Sequence, residues 1–107
     1  MAKCMFAVTY SPEGAQGLVK DGGTRSRAYI AELIAGLGAK LEAFYYAFGD
    51  TDVITIVDAP DTATIAALSL AVNASGAAKL TTTMLATPEE IDQAVKKTVG
   101  YRPPGRS

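Results

Sequence analysis

The sequence predicts an α+β domain in which helices pack on one face of a four-stranded antiparallel sheet. Two observations lead to this fold class. Stretches of period-two and helical periodicity follow one another in the order strand, helix, strand, strand, helix, strand, with one further helix at the end. Only a tight turn separates the second strand from the third, so these two strands must be antiparallel neighbours. This order of elements is the split βαβ arrangement known as ferredoxin-like.

Residues 4–10 form the first predicted strand, in which both alternating sets of side chains are largely apolar, as in a strand covered on both faces. The polar stretch that follows contains four glycines up to Gly23, which predicts at most a short irregular turn of helix. Thr24 is the expected N-cap of the first helix, because apolar residues recur after it at helical spacing. Gly36 and Gly38 provide its C-terminal stop.

The second and third predicted strands, residues 40–48 and 53–57, flank the turn at residues 49–52 and should form a hairpin. Strict alternation in the second strand gives two largely apolar faces, one with Phe44, Tyr46 and Phe48 and the other with Leu41, Ala43, Tyr45 and Ala47. A bare apolar sheet face is an association site. We therefore expect a homo-oligomer, since a second copy related by a two-fold axis needs only one self-complementary patch.

The second half of the chain carries the clearest helix signals. Asp61 is the expected cap of a second helix that ends at Gly76, and residues 78–86 are rich in threonine and form the fourth strand. Residues 87–90 combine an N-cap threonine, proline at the first helical position and glutamate three residues after the cap. The last helix should run to about Val99.

Composition narrows the classes of function. With 107 residues the chain fits one domain, expected at residues 1–99 with an extended or mobile tail at 100–107. The single cysteine, Cys4, and the absence of histidine leave no disulfide, no metal cluster and no cofactor to expect. A net charge of −1 gives no reason to expect nucleic acid or an anionic membrane as a partner. Without an apolar run long enough to cross a bilayer, we expect a cytoplasmic protein.

Four short motifs, at residues 8–14, 48–53, 57–61 and 86–90, together resemble the GYD-domain proteins over roughly residues 4–95. These are small proteins of unassigned function among the dimeric α+β barrels. The resemblance implies a fold and a dimer. The family is named for a glycine, a tyrosine and an aspartate at the hairpin. This chain has Gly49 and Asp52 but Thr51 at the aromatic position.

Two groups of residues are candidate sites. The first is a ligand-binding set of aromatic and hairpin residues: Tyr10, Tyr45, Tyr46, Phe48, Gly49, Asp50 and Asp52. The second is an anion-binding set of basic residues near a helix N-terminus: Lys20, Arg25 and Arg27. The simpler interpretations are tyrosines that pack, aspartates that bond turn amides, and solvated basic side chains. Without a histidine to activate it, Cys4 is expected to be a small buried hydrophobe.

Two hypotheses of function remain. The favoured one is a homo-oligomeric module that binds a small, mostly apolar ligand or a protein partner, because no activated acid, base or nucleophile can be named. The alternative is a cofactor-independent oxygenase or isomerase that acts on a small aromatic or quinone-like substrate. A closed cavity lined by Tyr10, Tyr45, Tyr46 and Phe48, with a carboxylate of raised pKa, would favour the enzyme.

Overall fold

The computed structural model describes residues 2–105, and its elements follow the predicted order with one added helix. In chain order they are β1 (Ala2–Tyr10), α1 (Pro12–Asp21), α2 (Gly23–Gly36), β2 (Lys40–Tyr46), β3 (Val53–Ala59), α3 (Thr62–Ser75), β4 (Ala78–Leu85) and α4 (Pro88–Ala94). No helix within residues 2–105 is both long enough and apolar enough to cross a membrane.

The four strands form one antiparallel sheet in the order β2-β3-β1-β4, which confirms the ferredoxin-like prediction. Side chains of α2 and α3 join those of the strands in a single hydrophobic core on one face, here named the inner face. The core consists of Cys4, Phe6, Ile34, Val57, Ala59, Ile65, Leu68 and Leu80. The central strand β1 places Phe6 opposite Thr55 of β3 and Thr82 of β4.

The prediction of only an irregular turn after β1 is wrong, because residues 12–21 form a full helix. Ser11 caps α1 by accepting a hydrogen bond from the Gly14 amide, and Gly22 ends the helix with a φ of 82°. Glycine disfavours a helix, yet Gly14 lets α1 approach the backbone of Ala77 closely. A Cβ atom there would lie 2.5 Å from the carbonyl oxygen of Ala77. The N-cap of α2 is Gly22, not the expected Thr24.

The prediction of strict alternation along β2 is also wrong, because the strand contains a bulge between Leu41 and Ala43. Glu42 is the extra residue, so Leu41 shares the inner face with Phe44 and Tyr46. The Lys3 Nζ atom lies 2.8 Å from the Glu42 carboxylate, and this hydrogen-bonded ion pair raises the pKa of the Lys3 ammonium. The bulge reverses the faces that the sequence assigned to the start of the strand.

The helix caps of the second half were predicted correctly. The Asp61 carboxylate accepts hydrogen bonds from the hydroxyl and the amide of Thr64, which lower its pKa. A reciprocal capping box joins Thr87 and Glu90 at the start of α4. This helix is shorter than expected, however, because it ends at Ala94 and not near Val99.

The face of the sheet opposite the helices, here named the open sheet face, is apolar at its centre. Alternation along the strands places on it Met5, Ala43, Tyr45, Ile54, Ile56 and Leu85. The side chain of Tyr45 is 71% exposed. Beyond the edge strand β4, the short helix α4 has no buried residue, and Ile91 and Val95 are exposed one helical turn apart.

Candidate functional site

A pocket of about 140 Å³, half open to the protein surface and called the cavity below, lies between the inner face of the sheet and the helices α2 and α3. Apolar side chains from all four strands and both helices form most of its wall, including Phe6, Phe44, Ile30, Leu68 and Val72. An apolar cavity of about 150 Å³ is large enough to hold a benzene molecule. The pocket therefore has space for a small ring between the sheet and the helices.

Thr55 is the polar residue in this wall that sequence reasoning missed. Its side chain is 4% exposed, and it is the one polar residue among the buried side chains of residues 2–105. Within the same range its Oγ1 atom is also the one buried side-chain oxygen or nitrogen that has no hydrogen-bond partner. The signal was present in the sequence, since Thr55 stands between Val53 and Val57 on the buried side of β3. An unpaired buried hydroxyl costs about 1–3 kcal/mol.

Tyr10, at the end of β1, lies between the cavity and the protein surface. It borders the cavity and also two surface grooves, one between α1 and α2 and one beside the β2–β3 hairpin. Burial raises the pKa of the Tyr10 phenol, and the nearby Tyr46 and Asp52 raise it further. The phenol is therefore neutral near neutral pH, and the Tyr10 side chain forms part of the wall of all three spaces.

The groove beside the hairpin, here named the hairpin groove, brings together four residues of the predicted ligand-binding set: Tyr10, Tyr46, Phe48 and Asp52. Two of them are already engaged by the fold. The Tyr46 hydroxyl donates to the carbonyl oxygen of Gly23 at 2.8 Å, and its ring meets that of Phe44 edge to face at 5.1 Å. The Asp52 carboxylate accepts from the Tyr10 amide at 2.8 Å. The side chain of Phe48 is fully exposed.

Comparison with known proteins identifies the family. The model of the GYD domain matches residues 4–95, which is most of the chain. The chain belongs to the GYD domain family. No curated protein and no solved structure matched the chain. Within this GYD domain, Asp52 also donates its amide to the carbonyl oxygen of Val8 at 2.8 Å, so it fastens the hairpin to β1 through both backbone and side chain.

Three other predicted residues lie apart from the cavity of the GYD domain. Tyr45 is on the open sheet face, and Gly49 and Asp50 are exposed in the hairpin loop. The backbone oxygen of Asp50 accepts a hydrogen bond from the Thr9 hydroxyl at 3.0 Å. A ligand-binding role for these residues stays a prediction.

The basic residues of the predicted anion site are not gathered in one pocket. Arg25 lines the groove between α1 and α2, whereas Lys20 and Arg27 are exposed and line none of the three spaces described above. Their role also stays a prediction. Cys4 is fully buried, and burial raises the pKa of its thiol, which disfavours the reactive thiolate. Within residues 2–105, no three Cys, Asp or Glu side chains are grouped to hold a metal ion.

Proposed function

We propose that this GYD-domain protein is a homo-oligomeric module that binds one small, mostly apolar molecule per protomer in the cavity between the sheet and the helices α2 and α3. The observation that carries the proposal is the cavity itself. Protein interiors are normally close-packed, with few voids larger than a water molecule. An apolar molecule that fills the pocket removes its apolar wall from water, which contributes roughly 25 cal/mol per Å² of area covered.

The open sheet face and α4 support the homo-oligomeric part of the proposal. A helix of seven residues is too short to be stable by its own hydrogen bonds, so α4 needs a surface to pack against. Its Ile91 and Val95 are exposed, and Ile54 and Ile56 lie on the open sheet face. A second copy supplies the same two apolar features in return, as a two-fold interface requires. We therefore assign a second copy, and not an unrelated protein, to this surface.

The residues of the cavity wall favour binding over catalysis. Of the four aromatic residues expected around an enzymatic cavity, Tyr10 lines it, whereas Tyr45, Tyr46 and Phe48 do not. No carboxylate is among the lining residues, and the neutral Tyr10 phenol is a poor base. The oxygenase or isomerase alternative thus has no specific observation in its favour.

Native mass spectrometry combined with a ligand titration tests the proposal. The protein is purified from its source and sprayed at low activation, so that both the oligomer mass and any retained small molecule are recorded. Toluene is then titrated in ligand-observed NMR against the wild type and two variants. Val72→Phe fills the cavity, and Leu70→Phe adds the same ring to a residue of α3 that is 71% exposed.

We expect binding by the wild type and Leu70→Phe but not by Val72→Phe. Absence of both a retained molecule and toluene binding in the wild type would refute the ligand-binding proposal. A monomer at all concentrations would refute the oligomer.

A further inference from the structure

We propose that the Thr55 hydroxyl is the polar anchor of the cavity, so that the natural ligand is a neutral molecule of about the size of one ring that carries a hydroxyl or carbonyl group. This inference rests on the proposed function, because it assigns a ligand class to the same cavity.

Thr55 lies at the centre of the inner face. In the sheet it stands opposite Phe6 of β1 and Phe44 of β2, and all three residues line the cavity. A molecule that occupies the cavity therefore contacts two aromatic side chains on either side of the threonine. The Thr55 oxygen has no partner within residues 2–105 but is itself shielded by its neighbours, so the side chain must turn about its Cα–Cβ bond to offer the hydroxyl to that molecule.

The remaining wall excludes charged ligands. Its lining residues include no lysine, arginine, aspartate or glutamate, and Tyr10 is the other lining side chain with a polar group. An ion placed there would lose its hydration without gaining a counter-charge, which is strongly unfavourable. The ligand must therefore be neutral and largely apolar.

A threonine hydroxyl can donate one hydrogen bond and accept others. It can thus donate to a carbonyl oxygen or exchange hydrogen bonds with a hydroxyl group. A purely hydrocarbon ligand displaces water and still leaves the Thr55 oxygen without a hydrogen bond. A ligand with one polar atom can form that hydrogen bond. A site built to hydrogen-bond a polar group discriminates against analogues that lack this group.

Phenol and toluene form a matched pair of probes, since they differ by one hydroxyl in place of a methyl group. Their affinities are measured by isothermal titration calorimetry on the full chain and three variants. Thr55→Val removes the hydroxyl and keeps the shape, and Thr55→Ser keeps the hydroxyl. Thr82→Val is the matched control, because Thr82 is exposed at the same level of the sheet and does not line the cavity.

We expect Thr55→Val to weaken phenol binding about tenfold relative to toluene binding, the effect of one net hydrogen bond. Thr55→Ser and Thr82→Val should keep the wild-type ratio of the two affinities. If both probes bind and Thr55→Val leaves their ratio unchanged, Thr55 is not the anchor, although the proposed binding function stands. If neither probe binds the wild type, the proposed function fails together with this inference. A fold-change in Thr82→Val equal to that in Thr55→Val would also overturn the assignment.

Discussion

Replacement of Thr55 by valine should stabilise the ligand-free protein, which is unusual for a substitution in a core. Threonine and valine have nearly the same shape, so the change leaves the size of the cavity almost unaltered. The substitution removes a hydroxyl that has no hydrogen-bond partner, from a residue that is 4% exposed. Because an unsatisfied buried polar group costs about 1–3 kcal/mol, the free energy of unfolding should rise by about that amount.

Urea denaturation followed by far-UV circular dichroism measures this change. The protein concentration must be equal for all variants, since subunit association adds to the apparent stability of an oligomer. For a domain of this size, each kcal/mol corresponds to roughly 4–8 °C in Tm, so thermal denaturation provides a second readout. Thr82→Val is again the control, and as a change at an exposed position it should alter stability by less than about 0.5 kcal/mol.

A loss of stability in Thr55→Val would refute this reasoning. It would mean that the hydroxyl forms a hydrogen bond in the folded protein, because only a bonded group is missed when it is removed. The anchor proposed above would then already be occupied by a group of the protein or by a firmly held water molecule.

Three further predictions concern the helices and the open sheet face. Gly14→Ala should destabilise the protein, because its Cβ would lie 2.5 Å from a backbone oxygen. Gly17→Ala, whose Cβ would meet nothing within 4 Å, should stabilise α1 by about 0.5–1 kcal/mol. Urea denaturation measures both changes in the free energy of unfolding, and changes of the same sign would contradict this prediction. Hydrogen bonds lower the pKa of Asp61, so its stabilising effect is present above about pH 4 and is lost as the pH falls through the lower folded-state pKa. Asp61→Asn should therefore flatten the decline in stability that circular dichroism measures between about pH 5 and pH 2. An unchanged slope would exclude a contribution from this cap. Ile56→Lys should convert the oligomer to monomers in analytical ultracentrifugation, while Ala67→Lys on the exposed side of α3 should not, and equal masses for the two variants would place the interface elsewhere.

The features that the sequence predicted correctly depend on neighbouring residues. Alternation marks the strands, and the caps at Asp61 and Thr87 bond to groups only three residues away. The wrong predictions, for α1 and for β2, concern structure that depends on contacts between residues far apart in the sequence. Gly14 is adjacent to Ala77 only in the folded protein, and the bulge at Glu42 is defined by its pairing with β3. Neither contact leaves a local pattern that could have been recognised.

The candidate site likewise has a part that local sequence indicates and a part that depends on the folded structure. A tyrosine at the end of a strand is a reasonable candidate on local grounds, and Tyr10 lines the cavity, although its ligand-binding role stays a prediction. The cavity itself depends on how side chains from four strands and two helices fit together, which periodicity does not describe. Thr55 could have been found, since a threonine on the buried side of a valine-rich strand departs from the local pattern.

The pocket and the unpaired hydroxyl belong to the same part of the fold, and this coincidence is the strongest argument for a ligand. The unpaired Thr55 hydroxyl costs about 1–3 kcal/mol, and the apolar wall of the pocket stays in contact with water until a ligand covers it. The first cost alone is a sizeable share of the about 5–15 kcal/mol by which native proteins are stable. Valine at residue 55 would remove one cost, and a larger side chain at Val72 the other. A neutral ring with one polar atom relieves both at once, whereas a hydrocarbon relieves only the first.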